Sequence, residues 1–224
     1  MKSTKSTLFA LAAGLGLAGA AHAQIIFSQY IETDSGTTPK GIEVWNPGAS
    51  AIDFSANNLV VEKGTNGGTP SSDFTLSTGT LAAGDVWVIG TTDMGTYLDN
   101  TFGAGIKNFS EKGFTFNGND SLVLKLGGVT QDVFGDPGSD PGSAWTGSGV
   151  STANQNIELI AGVTTGDTGG FTDPSTRFAT VSTNPSESGG LSGFGVAPVP
   201  EPSAYALLAG LLGLTFVGLR RRRA

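Results

Sequence analysis

The sequence contains no cysteine and a single histidine among its 224 residues. Without cysteine there is no disulfide, no thiolate nucleophile and no thiolate metal site. The histidine, His22, lies in the N-terminal segment, so the rest of the chain has no imidazole. Serine–histidine triads, histidine general bases and histidine-ligated zinc or iron are thereby excluded beyond that segment. Basic residues are also scarce. Of twelve, Lys2 and Lys5 stand near the start and Arg220, Arg221, Arg222 and Arg223 at the end. The six that remain face eighteen acidic residues over 24–199, a net charge of −12 across 176 residues. Such a surface repels nucleic acid and bare anionic lipid, because phosphate binding needs clustered Lys and Arg. It suits cations, or partners reached through bridging cations, and it also serves solubility alone.

Long apolar runs are confined to the two ends. In MKSTKSTLFALAAGLGLAGAAHAQ, Lys2 and Lys5 precede an apolar stretch over 8–20, and Ala21-His22-Ala23 forms a small-x-small site. That order is the form of a secretory signal peptide over 1–23, with cleavage expected after Ala23 and Ala21 as the other small residue. Signal peptidase and the Sec machinery are the transient partners this implies. The GLGLAG within it matches a dinucleotide fingerprint by accident, since no strand precedes it. At the other end, residues 203–219 carry no charge. Seventeen helical residues reach about 25 Å, short of a hydrocarbon core of about 30 Å, so this expected transmembrane helix is a marginal anchor. Positive charge outside both apolar runs keeps the two termini in the cytoplasm and sends the body across the membrane.

The body is long enough for one buried core and short for two. Strand-like runs recur in it: IIFSQYIE (25–32), GIEVWN (41–46), NNLVVEK (57–63), DVWVIG (85–90), SLVLKL (121–126), VTQDVFG (129–135) and NIELIA (156–161). Between them lie Asn, Asp, Gly and Pro turn sequences. DVWVIG is apolar on both faces, which predicts a strand inside a sheet. Trp45 and Trp87 read as packing residues rather than a ligand platform. No stretch sustains a helical apolar period over three turns. DMGTYL (93–98) predicts one helical turn with Asp93 as N-cap. The expected fold is all-β, an antiparallel sandwich or barrel.

Five pieces in order resemble a bacterial lamin tail domain. They are the IEVWNP strand, the Asp53-Phe54-Ser55 turn, the LAAGDVWVI strand, the NGNDSLVLKL hairpin and the DVFGDPGSDPGSAW loop. This resemblance covers about 25–161, and TTGDTGGFTDPSTRF resembles the tail that completes such domains. It implies an immunoglobulin-like antiparallel β-sandwich over 24–163, with 164–199 as a Gly/Ser/Thr-rich extension and linker. The C-terminus, 200–224, resembles a PEP-CTERM sorting signal. Pro200, Glu201 and Pro202 form the motif, an apolar helix follows, and Arg220 to Arg223 close it. The resemblance implies recognition by an exosortase, a membrane protease-transpeptidase of Gram-negative bacteria that make extracellular polysaccharide. The prolines fit that role, since a protease needs extended chain outside the bilayer. A permanent single-span anchor is the alternative.

Asp132, Asp136 and Asp140 recur at intervals of four in the DVFGDPGSDPGSAW loop. Three carboxylates with free carbonyls are a candidate calcium site, calcium being the one cofactor the composition suggests; the other reading is Asx-type turns leading Trp145 into the core. Glu32, Asp34 and Glu43 read as a solvated acidic face. No body lysine has a serine three residues before it, which removes Ser–Lys chemistry of the SxxK type. Asn108 and Asn119 begin N-x-S sequences, weak glycosylation signals in a bacterial chain. The expectation is a non-catalytic adhesion or scaffold module, an inner-membrane intermediate that ends on the cell surface or in the matrix. Its partners would be extracellular polysaccharide or other surface proteins, and no nucleic acid. The alternatives are a calcium-dependent carbohydrate- or protein-binding module and, more remotely, a secreted two-carboxylate hydrolase.

Overall fold

A computed structural model describes residues 24–33 and 38–198. The expected signal peptide, with Ala21 and Ala23, the sorting motif Pro200-Glu201-Pro202, the apolar run 203–219 and Arg220, Arg221, Arg222 and Arg223 lie outside the described residues, as does Asp34. Among the described residues no helix is long and apolar enough to cross a membrane.

The described chain is nearly all β. One sheet has six strands: β1 (Ile26–Ile31), β2 (Gly41–Trp45), β7 (Val86–Gly90), β8 (Asn108–Glu111), β13 (Asn156–Leu159) and β14 (Phe178–Ser182), in the order β14-β13-β1-β2-β7-β8. A second has four: β4 (Leu59–Gly64), β5 (Ser71–Leu76), β9 (Ser121–Leu126) and β10 (Val129–Phe134), in the order β10-β9-β4-β5. Two short pairs complete it, β3 (Ile52–Asp53) with β6 (Thr80–Leu81), and β11 (Thr146–Gly147) with β12 (Val150–Ser151).

One apolar core joins the two large sheets. Phe27, Tyr30, Ile42, Val44, Ile89 and Ile157 enter it from the first, and Leu59, Val61, Leu122, Leu124 and Phe134 from the second. Tyr30 lies stacked between Phe116 and Phe134, at centroid distances of 5.1 and 4.3 Å. Each such fully buried side chain contributes about 1.5–3 kcal/mol. The Asp53-Phe54-Ser55 turn works by the same logic. Asp53 Oδ1 accepts from Ser55 N and Oγ at 2.8 and 2.6 Å, and the turn drives Phe54 fully into the core. Trp45 is buried, and half-buried Trp87 stands edge-on to Phe54 while its Nε1 donates to Ser110 Oγ at 3.0 Å.

Two features depart from expectation. A helix, α1 (Thr92–Phe102), replaces the single turn, and its N-cap is Thr91, with Asp93 inside the first turn. Only Met94 and Leu98 are buried on it, one turn apart, too few to register as a period. Tertiary packing stabilises it instead: Met94 sits over Gly41 and Gly90, which face each other across β2 and β7, and a Cβ on either would collide with the Met94 sulfur. The helix then carries the chain back so that β8 runs parallel to β7, where a purely antiparallel fold was expected. A parallel neighbour needs such a crossover, and a helix supplies it.

Glu158 on β13 stays exposed, but much of the outer face of the six-stranded sheet is shielded from water. Helix α1 and the C-terminal segment 183–198 cover it, with Phe194 fully buried against Ile31, Val88, Met94 and Leu98. The Gly/Ser/Thr-rich extension therefore supplies an edge strand, β14, and a cover rather than a linker alone.

Candidate functional site

Four carboxylates are buried among the described residues, and each is engaged differently. Asp120 accepts from Asn66 N at 2.9 Å and from Asn117 N at 3.1 Å. Asp132 is fully buried on β10. Its Oδ1 accepts from Arg177 Nη1 at 2.6 Å and Asp167 N at 2.8 Å, and its Oδ2 accepts from Phe27 N at 2.9 Å. One side chain thus ties β1, β10, the 164–170 segment and the residue preceding β14 together. Burial pushes its carboxyl above the usual range, while Arg177 and the two amides pull the other way.

Asp136 is half-buried and its carbonyl accepts from Ser139 N at 3.1 Å, closing a turn. Asp140 is exposed, and its Oδ1 accepts from Asn119 Nδ2 and Gly142 N, both at 2.8 Å. Those hydrogen bonds hold the Asp140 carboxyl below the usual range. The expected trio does not converge: among the described residues no three carboxylate side chains assemble into a group that could hold a metal ion. The loop follows the turn reading, delivering buried Trp145, whose N donates to Thr152 Oγ1 at 3.0 Å. Asp132 belongs inside for a legible reason, since it lies two residues before core residue Phe134 and shares its face. Gly135 has a φ of 77°, and a Cβ there would lie 2.6 Å from the Trp145 ring. Gly135→Ala is therefore expected to cost about 1–3 kcal/mol, read as a lowered midpoint in urea.

Glu32 and Glu43 do not lie on a solvated face. Both are buried, with 2 % and 1 % of their surface exposed. Glu32 Oε1 pairs with Lys40 Nζ at 2.6 Å, and the same ammonium donates to Thr33 O and Phe116 O at 2.6 and 3.0 Å. Glu32 Oε2 accepts from Asn154 N at 2.9 Å. A buried ion pair so completely hydrogen-bonded serves the fold.

Among the described residues no cation lies at contact distance from Glu43. Its Oε1 accepts from Ser28 Oγ at 2.7 Å and its Oε2 from Gly195 N at 2.6 Å. Burial pushes its carboxyl up to about 8, against the pull of those two hydrogen bonds and of Lys107. It borders a cavity of about 220 Å³ lined also by Ser28, Gln29, Glu158, Val196 and Pro198. Cross-strand register places Glu43, Gln29 and Glu158 in one row over β2, β1 and β13. Alternation along β2 put Glu43 opposite the core correctly; it could not reveal that residues 150 positions away roof that face. No family model, curated protein or solved structure matches this chain.

Proposed function

We propose that this chain is an exported, non-catalytic surface or matrix module, an immunoglobulin-like β-sandwich resembling lamin tail domains that is sorted through its PEP-CTERM-like end by an exosortase. The observation that carries the non-catalytic reading is the engagement of the buried carboxylates. Glu32 and Asp132 are held in ion pairs, Asp120 accepts from two backbone amides, and Glu43 is capped by a serine and a backbone amide. Among the described residues no aromatic side chain lines either the cavity of about 220 Å³ beside Glu43 or the one of about 370 Å³ beside Asp93 and Glu111. The sandwich reading is supported by the single core shared between a six-stranded and a four-stranded sheet. The parallel β7–α1–β8 crossover is this chain's departure from that pattern.

The net charge of −12 over 24–199 directs the search for partners toward polysaccharide and other surface proteins, and away from nucleic acid. The test is co-sedimentation of the protein with the producing organism's purified extracellular polysaccharide, with calcium and with chelator. Saturable pelleting in both conditions is expected of an adhesion or scaffold module. Pelleting abolished by chelator would replace this reading with calcium-bridged binding, for which Asp136 and Asp140 are the candidates. Hydrolysis of the polysaccharide, lost in Glu43→Gln, would overturn the non-catalytic reading.

A further inference from the structure

The row formed by Glu43, Gln29 and Glu158 is rich in acceptors and poor in donors. Gln29 is buried, with 2 % of its surface exposed, and its partners fix the orientation of its amide. Nε2 donates to Asn156 Oδ1 at 2.7 Å and to Ser192 O at 2.8 Å. Both amide hydrogens are thereby used, and the nitrogen and oxygen cannot exchange places. Among the described residues nothing donates to Oε1, the end of Gln29 left to face the cavity of about 220 Å³. Gly193 keeps that space clear, since a Cβ there would lie 2.9 Å from Oε1 and 2.8 Å from Nε2.

Two carboxylates flank this oxygen. Gln29 is paired with Glu43 on β2 and with Glu158 on β13, and side chains so paired stand about 4.5–5.5 Å apart at Cβ. Among the described residues no cation lies at contact distance from either carboxylate. Glu43 receives one hydrogen bond on each oxygen, from Ser28 and Gly195, and a carboxylate has further acceptor sites beyond those two. Lys107 attracts it and Asp85 repels it, while burial holds the carboxyl up at about 8. A cation seated in the row would offset that burial. Glu158 is exposed and opens the row to solvent.

The walls of the cavity have the opposite character. Leu159, Ala161, Val196, Ala197 and Pro198 line it with aliphatic carbon, and Val196 keeps 53 % of its surface exposed. Three acceptor side chains beside an aliphatic wall match a primary alkylammonium. Its three N–H donors meet the acceptors, and its methylenes lie along the wall. The same walls offer no ring on which a sugar could stack.

We propose that this cavity captures a lysine side chain of a partner protein, with the ammonium held by Gln29 Oε1 and the carboxylates of Glu43 and Glu158. The proposal goes beyond the scaffold reading and depends on neither export nor sorting. The test follows the amide signals of the isotope-labelled full chain in detergent, during titration with Nα-acetyl-lysine methylamide near neutral pH. Saturable shifts are expected at the Gln29 side-chain amide and the Gly193 N–H, and none when the lysine is also acetylated at Nζ. Glu158→Gln at its exposed position, and Glu43→Gln, should each weaken binding at least about tenfold, through loss of a charge-assisted hydrogen bond. Signals that stay unmoved, or that move equally with the Nζ-acetylated form, would overturn the site. An affinity unchanged in both variants would overturn the placement of the ammonium in this row. Saturation by glucosamine and not by the lysine analogue would overturn the protein partner in favour of an amino sugar.

Discussion

Glu43→Gln is expected to stabilise this protein in alkaline solution and to leave it nearly unchanged in acid. The folded carboxyl keeps its proton to about 8, because burial disfavours the charge, whereas the unfolded chain releases it near 4.5. Below pH 4.5 both states are protonated and the group contributes no pH dependence. Between 4.5 and 8 the folded state binds more protons, so stability falls as pH rises. Above 8 the full penalty of ionising a buried group is present, on the order of 5 kcal/mol for the interval between those two values.

The neighbours argue that the substitution fits. A glutamine can donate to Ser28 Oγ and accept from Gly195 N, reproducing the hydrogen bonds of the neutral acid. Lys107 attracts the anion and Asp85 repels it, and Glu158 and Gln29 stand in the adjoining row. Thermal melts of both proteins from pH 4 to pH 9.5 provide the measurement. The gap should open through the pH 4.5–8 window and reach about 10 °C or more at the alkaline end. A constant gap across the whole range would mean that Glu43 titrates like an exposed carboxylate.

Breaking the Asp132–Arg177 pair is the second large effect. Arg177→Met leaves a fully buried carboxylate without its guanidinium and is expected to cost about 3–5 kcal/mol. Asp132→Ala should cost as much or more, since it strands Arg177 and also orphans Phe27 N and Asp167 N, each unsatisfied amide costing about 1–3 kcal/mol. Urea unfolding of the two single variants and of Asp132→Leu/Arg177→Met separates the terms. The double variant should lose less than the sum of the singles, because it leaves no unpaired charge. Additive losses would mean that the two residues act independently. Calcium and chelator should shift none of these midpoints, which distinguishes Asp132 as a structural hub from Asp132 as a metal ligand.

These two sites also show where the sequence stopped being legible. The interior strands β1, β2, β4, β7, β9 and β13 were readable because each is a short apolar run ending in turn residues, and the edge strand β10 was readable with them because VTQDVF carries the same pattern; all seven fall inside or overlap the expected runs. The other three edge strands of the two large sheets, β5, β8 and β14, were not. SSDFTL, NFSE and FATVS are half-exposed and carry too few apolar residues to show a period. Helix α1 escaped because its stability comes from a seat between two glycines distant in sequence, rather than from a stripe along its own length. Glu32 and Glu43 were misplaced for a related reason. Alternation says which side of a strand a residue occupies, and says nothing of what later folds over that side. Here that cover is GFGV at 193–196, four residues inside a stretch whose composition reads as linker.

The turn chemistry fared better than the metal reading of the same loop. Prolines at 137 and 141 and the aspartates before them do shape a loop that hands Trp145 to the core. The four-residue spacing that suggested a shared cation concealed a change of environment, because Asp132 sits on a strand inside the core while Asp140 lies in solvent.

The claim that joins both ends of the chain to its body is export followed by trimming at each terminus. Intact-mass measurement of the protein recovered from the surface and extracellular fraction of the producing bacterium tests it directly. The expected species begins at Gln24 and ends near Pro200-Glu201-Pro202, without Arg220, Arg221, Arg222 and Arg223. A surface-exposed protein that still carries the four arginines would contradict sorting by cleavage, and a full-length protein confined to the cytoplasm would contradict export altogether.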